Sequence, residues 1–423
     1  MSDPQSQADV IVVCQVFHPE LISTGQTLTE LVEELAALGL RITVIAAQPT
    51  LVAGAPRVPA LLEHQGIQIH RTWSTRLPKT HFIGKLLNLS TFFASATWRI
   101  LWRHPRTQLL LLTNPPYLPL LGWVCHLLRR QPFGVILFDI MPEQAELLNF
   151  IRPDGFVARV WRRFNQLWYR CSTYAVVLSQ DMLDGAIKNA NATGTPLEAE
   201  LRRKTRIIHV WSDDRQIHPI EKTSSGEAVR LGVLGRFVVQ YSGNHGRFHD
   251  LETLLKIARR FSPDEQIRFQ FIGDGQKKKL VDEFQRLVPA DLCYNSGYVG
   301  KELLADSLAM ADLGVVAQLP GQERVCYPSK LLGIMAAGRA TFAICPPDCE
   351  MGRMIRDDHL GIVIANGDVT GGREALLWAR NHPNELRCMG ANAARVLRER
   401  FTLRQAAQAY HDLITQICRA SSP

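Results

Sequence analysis

The chain has 423 residues, 46% of them hydrophobic and 21% charged, and a net charge of +8. That length exceeds what one core usually supports and the composition is globular, so two domains are expected and a disordered or fibrous chain is excluded. Nine cysteines stand singly, Cys345 and Cys349 being the nearest pair. This suits neither a disulfide framework nor a four-ligand zinc site, and with no secretory signal the expected setting is the cytoplasm.

An eight-residue polar tail leads into Val10–Val16, a continuous apolar run typical of a buried parallel strand. The loop Phe17–Gln26 follows. A helix is predicted over Thr27–Leu38, with Leu28, Leu31, Leu35 and Leu38 on one face and Gly39 as its stop. Arg41–Ala46 is the next strand, and a strand–helix–strand unit of this size implies a parallel sheet with crossover helices. Strands Leu109–Thr113, Val135–Phe138 and Tyr174–Leu178 continue the series. Turn-rich stretches at Asn189–Pro196 and Asp213–Gly226 close it. A second series comprises strand Val238–Ser242, helix His249–Phe261, strand Ile267–Ile272, helix Lys277–Leu287, strand Leu313–Ala317, helix Lys330–Ala337 and strand Thr341–Cys345. Two α/β units joined near residues 213–235 are expected, then terminal helices Asn384–Leu397 and Leu403–Ile417.

The charge is uneven. Residues 71 to 170 hold 14 Lys and Arg against 4 Asp and Glu. Phe92, Phe93, Trp98 and Trp102 lie between Lys85 and Arg106, and Trp161, Phe164, Trp168 and Tyr169 lie among Arg159, Arg162, Arg163 and Arg170. Two readings stand side by side. Segments 85–106 and 155–170 are helices lying in an anionic membrane surface, or amphipathic helices with their apolar face in the core. Nucleic acid is disfavoured because no motif for it accompanies the charge. No transmembrane helix is expected: the best candidate, Leu86–Trp98, is closed by Arg99 after 13 residues.

The stretch Val325–Arg339 says most about function. Tyr327-Pro328-Ser329-Lys330 turns into a helix carrying the small residues Gly333, Ala336, Ala337 and Gly338. A hydroxyl, a lysine and backbone N–H groups at a helix start make an anion site; the plainer alternative is an ordinary helix start. The stretch resembles the nucleotide-sugar-binding half of glycosyltransferase family 4, in the subgroup that makes O-antigen-type and other surface polysaccharides. There a Pro-Ser-Lys turn sits beside the donor diphosphate. The resemblance implies an α/β fold of the GT-B kind, two Rossmann-like doubly wound parallel-sheet domains facing a cleft. Residues 1–215 would form the acceptor-side domain, 216–395 the donor-binding domain, and 396–423 a helix returning to the first.

Other blocks carry the same resemblance over nearly the whole chain. Phe17-His18-Pro19-Glu20 with Gly25 is similar to the family's N-terminal loop near the donor phosphates, and a glycine before a helix lets backbone approach an anion. Leu112–Pro116 and Phe138–Glu143, with Asp139, resemble strand ends lining the acceptor side, where ligands of such sheets bind. Trp211-Ser212-Asp213 resembles the segment leading into the linker. Tyr241–Glu252 matches the donor-phosphate loop, but Asn244 and His249 stand where many members have Arg and Lys. The diphosphate still needs charge and donors. Lys330, Ser329, Ser242, the backbone of Gly243 to Gly246, and Arg247 or Arg324 are the candidates. Gly273-Asp274-Gly275 would let the nucleoside approach backbone, and Tyr298-Val299 matches a base-contacting segment; a simple β–α turn is the alternative. The family's two glutamates, eight positions apart, fall on Val325 and Gly333. Glu323 is the substitute for the first, and Glu350 lies in another donor-facing turn.

The resemblance implies a retaining glycosyltransferase that needs no metal or cofactor and uses a nucleotide-diphosphate sugar, UDP being the family's commonest nucleotide. Lys330 would neutralise leaving-group charge with Asn244 among the donors, and Asp139 or His18 is the candidate base. The expected acceptor is a glycan or a polyprenyl-linked sugar at the inner face of the plasma membrane, in surface polysaccharide or glycolipid synthesis. Two rivals stay open: a nucleotide-sugar epimerase or hydrolase of the same fold, and a degenerate, non-catalytic binding partner.

Overall fold

The computed structural model describes residues 9–20, 24–49, 57–77, 82–104, 106–153, 155–212 and 216–421. The polar tail, residues 21–23 of the first loop, and Asp213 with the start of the expected linker lie outside the described residues. The chain divides into two compact units. The first is Met1–His209 with Arg324–Cys326 and Leu403–Pro423; the second is Val210–Glu323 with Tyr327–Thr402.

The first unit is built on eight strands: β1 (Val10–Cys14), β2 (Ile42–Ala46), β3 (Leu61–His64), β4 (Ile67–Arg71), β5 (Gln108–Leu112), β6 (Phe133–Leu137), β7 (Tyr174–Val177) and β8 (Thr205–Ile207). Their order is β3-β4-β2-β1-β5-β6-β7-β8, with only β3 antiparallel to its neighbour. The apolar runs β1, β2, β5, β6 and β7 are buried along their whole length, as strands covered on both faces must be. The β3–β4 hairpin escapes the sequence reading because β3 is an exposed edge with no apolar run.

The first helix, Thr24–Ala37, starts before the expected Thr27, and the last helix, Leu403–Ser421, packs against it within this unit. The segment Arg324–Cys326 also joins this unit. Ile140 N–H donates to the Val325 carbonyl (3.0 Å) and Asp139 pairs with Cys326 as an isolated bridge. Arg324 thus departs from the expected 216–395 boundary, because a local backbone pairing ties its neighbours to a strand end of the first unit.

Helices Phe82–Arg103 and Phe156–Cys171 both pack on helix Leu118–Arg129. Only part of their apolar content is core: Phe92, Ile100, Trp168 and Tyr169 are buried. Ile83, Leu86, Leu87, Trp98, Trp102, Phe156, Val157 and Phe164 are exposed, and Trp98 and Trp102 stack on each other at 3.9 Å. Among the described residues no helix is long and apolar enough to cross a membrane.

The second unit has six parallel strands: β9 (Phe237–Ser242), β10 (Ile267–Ile272), β11 (Cys293–Ser296), β12 (Leu313–Ala317), β13 (Ala340–Ile344) and β14 (Gly361–Ile364). The order β11-β10-β9-β12-β13-β14 is that of a doubly wound sheet whose direction of winding reverses between β9 and β12. These two strands pair only at Leu313↔Val239 and Gly314↔Gln240. Their carboxyl ends therefore part, which is where such sheets bind ligands. Tyr241, Leu254, Phe269, Phe271 and Phe284 fill one side of the sheet, and Leu331, Met335, Ala343 and Val396 the other. The helix expected from His249 begins at Leu251, because Asp250 caps it by accepting from Thr253 N–H (3.1 Å). His249 is therefore a loop residue.

Candidate functional site

Within the second unit, three segments meet at the parting of β9 and β12. β9 turns at Gly243 (φ +117°), and β10 turns through Gly273 (φ +137°) and Gly275 (φ +148°), conformations that side-chain-bearing residues seldom adopt. The turns are stitched together: Gly243 N–H donates to the Ile272 carbonyl and His245 N–H to the Asp274 carbonyl, both at 2.8 Å. These two amides, expected to serve an anion, are thus engaged by backbone carbonyls. A methyl group on Gly275 would stand 2.4 Å from Asn244 Oδ1, and one on Gly243 would stand 2.8 Å from Lys330 Cε.

Lys330 opens the short helix Lys330–Ala336 and lays its stem across Gly243. Its ammonium lies 3.0 Å from His249 Nε2 and 5.3 Å from the centre of the Tyr241 ring, a cation–π placement. His249 Nδ1 lies 3.1 Å from the Ala317 carbonyl at the end of β12. Burial and then the Lys330 charge push the His249 pKa down to about 3. His245 is 0% exposed and neither ring nitrogen has a hydrogen-bond partner. Burial and then Lys278 bring its pKa down to about 4.

Ser242, Gly243, Lys330 and Gly333 line a cavity of about 190 Å³ together with Gln240, Arg339, Leu304 and Leu308. A methyl group at Gly333 would meet nothing within 4 Å, so the position where the family pattern has glutamate is open at its Cβ. Asp274 is exposed; its carboxylate accepts from Gly275 N–H (2.7 Å) and its carbonyl from the Tyr298 hydroxyl (3.2 Å). Val299 packs on the cluster around Val238, and Gly246 abuts the Asn244 amide. Ser329 is exposed and its hydroxyl makes no cap hydrogen bond. Glu323 accepts from Gly321 N–H (2.8 Å), Arg247 is exposed, and Glu350 opens helix Glu350–Asp357, capped by Cys349 Sγ.

The remaining candidates belong to the first unit. His18 stacks on His64 (3.8 Å) and its carbonyl accepts from the buried Arg71; burial lowers its pKa. Gly25 lies in the first turn of its helix, where a methyl group would stand 2.6 Å from Val16 Cγ1, so packing alone demands glycine there. Asp139 accepts from Gln144 Nε2 (2.8 Å), and burial raises its pKa. Among the described residues no group of three or more His, Cys, Asp or Glu is placed to hold a metal ion.

The structure brings together Ser242, Gly243, Asn244, Gly246, His249, Gly273, Asp274, Gly275 and Lys330. Tyr241, Gln240 and His245 border the same place and were not singled out from sequence. A glutamine inside the apolar strand β9 and a histidine within its glycine turn were the available signals.

Residues 24–193 match the profile of a glycosyl transferase 4-like domain. A probable glycosyltransferase, WbjE of Pseudomonas aeruginosa, is 26% identical over 236 residues, covering 54% of this chain and 54% of WbjE. The aligned part therefore spans about half the length of that relative. Among solved structures, sucrose-phosphate synthase from Thermosynechococcus elongatus superposes with a TM-score of 0.72 at 16% identity, over 97% of this chain and 99% of that one. HepE of Anabaena, in complex with UDP-glucose, gives a TM-score of 0.69 at 15% identity, over 96% and 99%.

Proposed function

We propose that the chain, whose residues 24–193 match a glycosyl transferase 4-like domain and whose fold is of the GT-B kind, is a family 4 glycosyltransferase that moves a sugar from a nucleotide-diphosphate sugar to a glycan or lipid-linked acceptor, with retention and without a metal ion. The observation that carries the reading is the Lys330 ammonium held at the parting of β9 and β12 by Gly243, Tyr241 and His249. A fixed cation there stabilises the charge that builds on a departing diphosphate. The Ser242 hydroxyl, the Asn244 amide and the exposed Ser329 hydroxyl donate hydrogen bonds to it. The nucleoside takes the cavity beside Gly333, with Tyr298 and Val299 near the base, and Glu323 or Glu350 contacts the sugar. UDP-glucose bound to HepE, a structure of the same fold, supports UDP as the nucleotide. The leaving phosphate itself takes the acceptor proton, with Asp139 or His18 as the candidate base if a protein group does so.

The acceptor in this reading is a glycan or a polyprenyl-linked sugar of surface polysaccharide or glycolipid synthesis. The exposed Trp98, Trp102, Phe156 and Phe164, on two helices that each pack on Leu118–Arg129 within a segment of 14 basic and 4 acidic residues, support a peripheral contact with anionic lipid at the cytoplasmic face. A panel of nucleotide sugars, read by release of free nucleotide with and without acceptor, tests the reading. Release that requires acceptor and survives EDTA supports it; acceptor-independent hydrolysis or epimerisation favours the first rival, and no nucleotide binding the second.

A further inference from the structure

We propose that His249 is a positioning residue for Lys330: as a neutral ring it accepts a hydrogen bond from the ammonium through Nε2 while Nδ1–H is anchored on the Ala317 carbonyl. The inference rests on the reading of Lys330 as the cation that meets the donor diphosphate, and it assigns that cation a partner.

Two distances select one protonation state. A carbonyl oxygen only accepts, so the nitrogen 3.1 Å from Ala317 O carries the proton. An ammonium only donates, so the nitrogen 3.0 Å from Lys330 Nζ offers a lone pair. A protonated ring would turn a second N–H onto the ammonium. The other groups around the ring oppose protonation as well. Lys277 Nζ sits on the His249 carbonyl (2.7 Å), and Glu252, the carboxylate nearby, is taken by that same lysine (2.8 Å). Tyr241 packs edge-on at 6.0 Å, and the His245 ring, tilted against Tyr241 at 5.2 Å, adds no negative charge.

The lysine is thereby fixed on three sides: its stem by Gly243, its charge by the Tyr241 ring, and one N–H by His249. Preorganising a flexible, strongly hydrated ammonium removes the cost of ordering it when charge develops. In this arrangement the residue at 249 brings orientation where a lysine would bring a second charge.

The test uses the full chain. With 15N-labelled histidine, and His249→Gln to assign the signal, nitrogen shifts between pH 5.5 and 8 are expected to show a neutral Nδ1–H ring, free and with UDP. Donor turnover is then compared for two variants. His249→Gln keeps an acceptor near Nε2 and is expected to stay within about threefold of the parent in kcat. His249→Phe keeps the ring shape without the acceptor and is expected to lose about tenfold in kcat with little change in KM. A ring that is protonated or carries its proton on Nε2, or a Gln variant as slow as Phe, overturns the proposal. If the parent releases no nucleotide from any donor, the transferase reading fails, and the ring's tautomer still decides whether the pair exists.

Discussion

The carbonyl oxygen of Gly243 lies 2.0 Å from the place where a methyl group on Gly273 would stand, so the turns after β9 and β10 close on each other with no room for a side chain. Gly273→Ala must push these turns apart in a conformation that L-residues avoid (φ +137°). A loss of about 2 kcal/mol or more is expected, with weakened nucleotide binding. Gly333→Ala is the contrast: the space is open and the residue helical, so stability should hold or rise by up to about 1 kcal/mol. Urea midpoints of the two variants check both, and a Gly273→Ala chain as stable as the parent would refute the first.

Lys330→Ala should cut donor turnover at least about tenfold, or about 1.4 kcal/mol of transition-state stabilisation. The fold should survive, because Lys330 is half-buried at the first position of its helix and is not part of the apolar core. Turnover with circular dichroism on the same sample separates the effects; near-parental turnover would remove the central assignment.

His245 and His249 make stability pH-dependent in a defined direction. Their folded pKa values, about 4 and about 3, lie below the unfolded value. The unfolded chain therefore takes up protons first as pH falls. The contribution is whole above about pH 6.5 and is lost progressively as pH drops toward 4, with a slope of up to about 1.4 kcal/mol per pH unit for each proton. Urea unfolding from pH 7.5 to 4.5 should show the decline, and His245→Phe should flatten it. An unchanged slope would mean that His245 is protonated in the folded state.

Trp98→Ala with Trp102→Ala should leave stability nearly unchanged, because the side chains are 62% and 59% exposed and stack mainly on each other. If they sit in a lipid surface, flotation with vesicles containing phosphatidylglycerol should fall by about tenfold or more, and vesicles of phosphatidylcholine alone should bind the parent weakly. Equal flotation of parent and variant would leave the stacked pair without a lipid role.

Strands β1, β2, β5, β6 and β7 and the strand Leu313–Ala317 are legible because each reads largely as an apolar run, while Ile267–Ile272 shows itself by apolar residues alternating with Arg268 and Gln270. β3, β11 and β14 are not. They lie at or next to sheet edges, with exposed or half-buried residues that give no period. The glycine turns could be named from sequence because their backbone conformation favours glycine, and Lys330 and Ser242 because they fall in segments that resemble the family's donor-phosphate motifs. His245 could not, because its place under the Gly273 turn follows from β10 lying beside β9.

By itself the sequence determined two series of strands and helices, the glycine turns after β9 and β10, and a lysine at a helix start. Hydrophobic period and positive-φ turns are local properties, written within a few residues. Only the tertiary structure decided that the winding reverses between β9 and β12, that Arg324–Cys326 pairs with a strand end of the first unit, and that His249 reaches Lys330 across 81 residues. Those depend on strand order and on which turns come to share one sheet end, and no local pattern encodes either.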